Sequence, residues 1–446
     1  MRHLAVRVEK STRNKTTYEI VASTTSEIQS PRVSTNMIPI VYDGTNWVKA
    51  DSMNKQYRWY DYDNQQWANV ATVTEDVRQT LLDAPDGTVV PMDKINAMFV
   101  WIPKFRYRLW NVSGTTPLEH NSNLGGDHMI DVRFESKITS KSTGNQNGQW
   151  LTHPAFTFGG EELEGFWVGK FETGYNQGPD LSAYTVSGAY KNEVSAEKVL
   201  IKPNINSWRG IQVYSVYQNA RNMGNLGNVF GLTTVDDPHM MKNMEWGAMA
   251  YLTLSKYGKQ GNPIYGEEEK QVRINNNRVY LTGCGADRQD ATVSESCDTY
   301  ETANGQAAST TGNITGVYDT SGGAWDIVAG VMKDENGTDI YNLTLGFPQD
   351  ELNQLGIDGK YFDVYDYDVG FATRERGHLG DATKEMGPFN SDRGAWYEDY
   401  AAMIRKNYGA FLRGGTVGDG STLCGVASFH SWKVPGGSLG SRITLR

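Results

Sequence analysis

STTGNITGVYDTSGGAWDIVAG, residues 309–330, decides the reading of the chain. Its glycines allow positive φ and close backbone approach. Between them, Tyr318 and Trp325 are placed to anchor the segment in a core, and Asp319 and Asp326 to accept backbone N–H groups in turns. Glycine-rich turns pinned by aromatic side chains read as scaffold rather than as ligand contact. They suit short strands and tight turns, not a helical bundle.

Toward the C-terminus, FLRGG (411–415) sets Arg413 before two glycines, where it is expected to bridge a buried carboxylate bidentately. Arg442 in GSRITLR (440–446) is a residue of the same kind. The segment between them carries glycines at 414, 415, 418, 420, 425, 436, 437 and 440, which favour turns over long strands. Turns on a rigid core present side chains at the surface. The candidate ligand-binding residues are therefore Tyr408, Thr416, Asp419, Ser421, His430 and Trp432. His430 and Trp432 lie two apart, so on a strand they point the same way. Trp432 offers a flat apolar face with one N–H donor, suited to a sugar ring or a protein hot spot. The alternative is that Trp432 packs inward and only closes the domain. The polar loop ETANGQAASTTGN (301–313) is the second choice for a binding surface.

Toward the N-terminus, MMKNMEWGAMAYLTLSKYG (240–258) reads as a helix with Met241, Met244, Ala248 and Tyr251 on its buried side and Gly258 as its stop. NSWRGIQVYSVYQNARNMG (206–224) reads as another, N-capped by Ser207, with Val213, Val216, Tyr217 and Ala220 in one stripe. GFWVGKFETGYN (165–176) and MFVWIPKFRYRLW (98–110) are strongly β-forming. Trp101, Phe166, Trp167, Trp246, Trp325 and Phe411 are the expected core. Ahead of Phe99 the texture is polar and β-leaning. HLAVRVE and YEIVAST alternate, MIPIVYDGTNWVKAD (37–51) reads as two strands around Asp43-Gly44, and WYDYDNQQWANVATV (59–73) as a hairpin turning at Asp63-Asn64. EDVRQTLLDA (75–84) is a short helix. This divides the chain into a β-rich N-terminal attachment and oligomerisation region, 1–98, and a domain, 99–446, in an α+β architecture. A fragment from about Met98 onward is expected to fold alone. The other reading of 1–98 is a β-rich extension packed on the main domain.

Composition removes several function classes. The net charge of −10 argues against nucleic acid as a partner. The absence of any long apolar run argues against membrane insertion. MRHLAVRVEKSTRNK lacks the apolar core of a secretion signal, so the chain is expected to reach its destination by assembly or another export route. Three cysteines, Cys284, Cys297 and Cys424, are too few for a disulfide scaffold, and free thiols are favoured over a Cys284–Cys297 bond. The seven histidines show no metal-ligand spacing, and no metal site is expected. DVYDYD (363–368) holds three acids that are read as a solvated loop, with structural calcium as the lesser alternative.

Several segments, in order, resemble one family. FVWIPKFRYRL (99–109), HPAFTFGGEELEGFWVGKFETG (153–174), HMMKNMEWGAMAYL (239–252), the 309–330 segment, FLRGG and GSRITLR look like successive blocks of the formylglycine-generating-enzyme type of C-type-lectin-like fold. Aerobic members of that family use two cysteines five positions apart in the last segment to bind copper. In the matching LCGVASF, Cys424 fills the first position and Phe429 the second. The resemblance therefore implies the fold without the two-sulfur site, and a chain that binds rather than catalyses. No catalytic residue and no cofactor follow from it.

WIPKFRYR, THPAF, WVGKFETG, KPNINSWR and TGCG together resemble proteins encoded by tailed bacteriophages and prophages. The C-terminal segment is similar to variable regions of phage receptor-binding proteins diversified by retroelements. The implied function is a virion surface protein, a head or tail fibre or adhesin. It would be assembled in the host cytoplasm, docked on other virion proteins through 1–98, and trimeric by analogy with phage fibres. It would present a lectin-like domain to a host-surface glycan or protein. The alternatives are a purely structural decoration protein and a sulfatase-modifying oxidoreductase.

Overall fold

In the computed structural model of the protein, MIPIVYDGTNWVKAD forms strands β1 (Ile38–Tyr42) and β2 (Trp47–Lys49), paired antiparallel around Asp43-Gly44. Asp43 Oδ1 accepts from the N–H groups of Thr45 and Asn46, both at 2.8 Å, which fixes the turn. The structure describes residues 28–446 except 52–55, 109–129, 145–148, 177–191, 266–270, 289–290, 343–344, 349, 351–358, 388–395, 397–398, 421–422 and 434–435, together with the paired strands Val6–Val8 and Tyr18–Ile20. Strand β3 (Asn69–Val73) follows a tight turn at Tyr62–Asn64, and α1 (Glu75–Asp83) buries Leu81. Next come β4 (Ile95–Pro103), β5 (Gly165–Gly169), α2 (Val213–Asn222), β6 (His239–Met240) and α3 (Asn243–Thr253). The chain then supplies β7 (Trp325–Val328), β8 (Ala410–Gly414), β9 (Gly425–Trp432), β10 (Leu439–Ser441) and β11 (Ile443–Leu445). With many short strands and few helices, the fold is mixed, loosely α+β or mostly β.

Seven strands form one sheet in the order β6-β11-β5-β4-β3-β1-β2, and four form a second in the order β9-β8-β7-β10. The division expected at 98/99 does not hold. It falls inside β4, which pairs with β3 on one side and β5 on the other. One hydrophobic cluster runs from Met37 to Leu445, and Trp167 Nε1 donates to the carbonyl of Arg32 at 2.8 Å. A fragment beginning at Met98 would lose β1–β3 and leave β4 with an unpaired edge, so it is not expected to fold alone. Phe99 lies in the middle of a strand that is buried along its whole length.

Trp101, Phe166, Trp167, Trp246, Trp325 and Phe411 are all buried in that cluster. Every residue of α3 is buried, because the helix runs through the core rather than along its edge. It ends at Thr253, before Gly258. The α2 helix begins at Val213 rather than near Ser207, whose hydroxyl donates to Glu172 Oε2 instead of capping. Among the described residues Arg413 pairs with no carboxylate. Its guanidinium donates to Asn243 Oδ1 at 2.7 Å, to the carbonyl of Ala382 at 3.0 Å and to the carbonyl of Asp381. Arg442 does hold an acid, with Nη2 3.0 Å from Asp326 Oδ2. Cys284 and Cys297 are disulfide-bonded, contrary to the free thiols expected; the short strands Cys284–Gly285 and Asp298–Thr299 pair and bring them together.

Candidate functional site

The second sheet has two faces of different chemistry. Its register sets Leu412 opposite His430, Ala410 opposite Trp432 and Trp325 opposite Leu439. Alternation then puts Trp325, Leu412, His430, Trp432 and Leu439 on one face, and Asp326, Phe411, Arg413 and Phe429 on the other.

The first face carries a cleft of about 240 Å³, completed by Tyr400, Thr416, Asp419 and Ser438 from the connecting segments. Its walls are aromatic. The His430 ring lies 4.9 Å from Tyr400, nearly parallel, 5.7 Å from Trp325 and 6.0 Å from Trp432. Tyr408 packs against Trp432 at 5.7 Å, just outside the lining. Trp432 is 46% exposed, so it does not close the core. Thr416 N donates to Asp419 Oδ2 at 3.0 Å, and Thr416 Oγ1 donates to the carbonyl of Gly323 at 3.0 Å. Burial raises the Asp419 carboxyl above its usual range, opposed by the Thr416 N–H and by a hydrogen bond with the Trp325 side chain.

Thus four of the six residues singled out in the sequence, Thr416, Asp419, His430 and Trp432, line one cleft, and Tyr408 buttresses it. Ser421 lies outside the described residues. Sequence reasoning missed Tyr400, Leu412, Ser438 and Leu439, and it took Trp325 for core alone. Trp325 is buried at 5% exposure and still forms a wall, because it sits two strands from His430 on the same face. Only the strand register carries that information.

The opposite face is closed. Arg442, fully buried, donates to Asp326 Oδ2, to the carbonyl of Gly169 at 2.8 Å and to that of Tyr318 at 2.9 Å. Asp319 Oδ1 accepts from Asn275 Nδ2 and from Gly283 N, each at 2.8 Å. Glu172 Oε1 accepts from Ala324 N at 2.9 Å. Gly323, at φ +70°, lies so near that a Cβ there would meet Glu172 Oε1 at 2.6 Å. Burial and the adjacent Asp319 and Asp326 push the Glu172 carboxyl well up, and burial raises that of Asp326 to about 6.

Elsewhere, Glu385 accepts from Tyr107 Oη at 2.6 Å, from Gly380 N at 2.7 Å and from Tyr251 Oη, and burial raises its carboxyl to about 7. Cys424 is buried, its Sγ 3.3 Å from the Thr416 carbonyl, and burial pushes its thiol well up. Phe429 is fully buried. In DVYDYD, Asp363 faces Lys242, Asp366 faces Lys333 and Asp368 faces Arg376, so the three acids do not converge. Among the described residues no three His, Cys, Asp or Glu side chains gather as a metal ion would need, and no helix is long and apolar enough to cross a membrane.

No family model and no curated protein matches the chain. Among solved structures it is similar to Treponema denticola variable protein 1, over 80% of this chain and 98% of that one, at 12% identity and a TM-score of 0.28. A likeness that distant carries no argument about activity.

Proposed function

We propose that the protein is a non-enzymatic binding protein of a bacteriophage particle, a fibre or adhesin. In this reading a C-type-lectin-like fold of the formylglycine-generating-enzyme type presents the cleft at Trp432 to a host-surface glycan. The single observation that supports the reading is the cleft itself. Aromatic faces, a hydroxyl and a carboxylate converge on one side of a rigid sheet. A volume of about 240 Å³ suits one sugar ring better than a larger molecule. The half-exposed face of Trp432 is the natural stacking surface for it.

Attachment to other virion proteins then falls to residues ahead of Ile38, because 38–98 contribute to the central sheet. Trimerisation remains the analogy with phage fibres. A buried Cys424 with a raised thiol, facing no second cysteine among the described residues, speaks against oxygen chemistry of the sulfatase-modifying kind.

The test is host-cell and glycan binding by Trp432→Ala and Asp419→Ala variants that keep the wild-type melting temperature. Loss of binding supports the reading. Undiminished binding by both moves the site to the 301–313 loop, and no binding by the wild type favours a structural decoration protein.

A further inference from the structure

The charge inside the cleft is one-sided. Among the described residues its lining contains Asp419 and no lysine or arginine. Among the described residues Asp419 forms no ion pair, and it is held only by the Thr416 N–H and the Trp325 side chain. Elsewhere the protein covers aromatic faces with its own cations: Arg209 lies 3.9 Å from the Tyr280 ring centre, Arg221 4.4 Å from Tyr361 and Arg133 4.4 Å from Trp150. Tyr408, behind the cleft wall, has Arg405 at 4.3 Å. No such cation covers Trp325 or Trp432 among the described residues, although both line the cavity. A partly desolvated carboxylate beside aromatic rings that carry no cation attracts one twice, by charge and by the ring quadrupole. A neutral sugar can donate hydroxyls to the carboxylate but leaves its charge without a counter-charge.

We propose that the cleft selects a sugar bearing a free, positively charged amino group over its neutral or N-acetylated counterpart. The ring stacks on Trp432, and the ammonium meets Asp419 beside the aromatic wall. This rests on the glycan-binding reading and names the class of glycan.

The experiment titrates the full chain with a glucosamine tetrasaccharide and with its fully N-acetylated counterpart at constant ionic strength, read by tryptophan fluorescence and calorimetry. The free-amine form binds tighter by about tenfold, the order expected of one partly desolvated cation–π contact with its counter-charge. Asp419→Asn, which keeps the shape and the bond from Thr416 N, erases the preference without moving the melting temperature. General attraction of a polycation to the net −10 chain survives that single change, so it is separable from the effect of the cleft. Equal affinity for the two forms overturns the inference, as does a preference that persists in Asp419→Asn, or no binding of the free-amine form. If the two forms bind equally and Trp432→Ala abolishes both, glycan binding stands and only the charge selection falls. If Trp432→Ala and Asp419→Ala both leave host binding intact, the cleft reading falls with it.

Discussion

Trp325 and Asp326 are consecutive in the chain and face opposite ways from strand β7. Trp325 walls an open cleft, and Asp326 meets a buried arginine. On the inner side, the acids are held by donors the chain itself supplies: Arg442, Asn275 and the backbone of Gly283 and Ala324. On the outer side, Asp419 has two donors from the chain and faces a void. The same residue type is scaffold where it is sealed inside the core and is available for recognition where it borders a cleft.

The sharpest way to break the comparison is from inside. Arg442→Met leaves Asp326 buried and unpaired, and is expected to cost about 3–5 kcal/mol. Denaturant unfolding or loss of soluble protein reads it; a cost under about 1 kcal/mol would show that the inner face tolerates an open acid. Trp325→Ala tests stability and binding together. It is expected to lose a comparable ~3–5 kcal/mol by cavity formation and to abolish ligand binding even at temperatures where the variant remains folded.

Glu385, another buried acid held by the chain's own donors, extends the comparison through pH. Its carboxyl rises from 4.5 to about 7 in the fold, so the native state binds the extra proton across that interval. Stability therefore falls as pH rises from 4.5 to about 7 and levels off above it. The shift is equivalent to about 3 kcal/mol. Asp326, raised to about 6, adds a fall of the same sign. Melting temperatures across this range are expected to drop less in Glu385→Gln than in the wild type. Parallel curves would mean that Glu385 is ionised in its Tyr107–Tyr251 site. On the outer side the stability effect is smallest. Trp432→Ala is expected to change stability by no more than about 0.5 kcal/mol, as surface substitutions do, while removing binding. A large loss of stability would place Trp432 with the scaffold instead.

Part of this was legible in the sequence. The Asp43-Gly44 hairpin, α1 and the burial of Trp101, Trp167 and Trp246 follow from local pattern, because alternation and helical spacing report which side of an element is wet. The shared side of His430 and Trp432 follows from strand period. Pairing does not. Nothing local in INAMFVWIP shows that β3 lies against it, so a change of texture passed for a domain boundary. The Cys284–Cys297 bond needs a short ladder that polar loop residues do not announce. Arg413 and Arg442 look alike in sequence, yet one finds Asn243 and carbonyls and the other finds Asp326. Tyr400 and Ser438 reach the cleft from irregular segments, which carry no period to read.

The order of the seven-stranded sheet also bears on how the chain gets there. Strands β1 to β4 are consecutive in the chain and fill adjacent places in the sheet, so residues 38–103 can zip together early at little loop-closure cost. The other half waits. Strand β5, at 165–169, takes as its outer neighbour β11, at 443–445, and β6 in turn pairs with β11. Until those three residues arrive, a hydrophobic ribbon with unpaired amides stands open beside Trp167. High contact order of this kind makes for slow folding and an intermediate prone to associate with its own kind. During that wait, colliding nascent chains are the main hazard, and refolding yield should fall steeply with protein concentration.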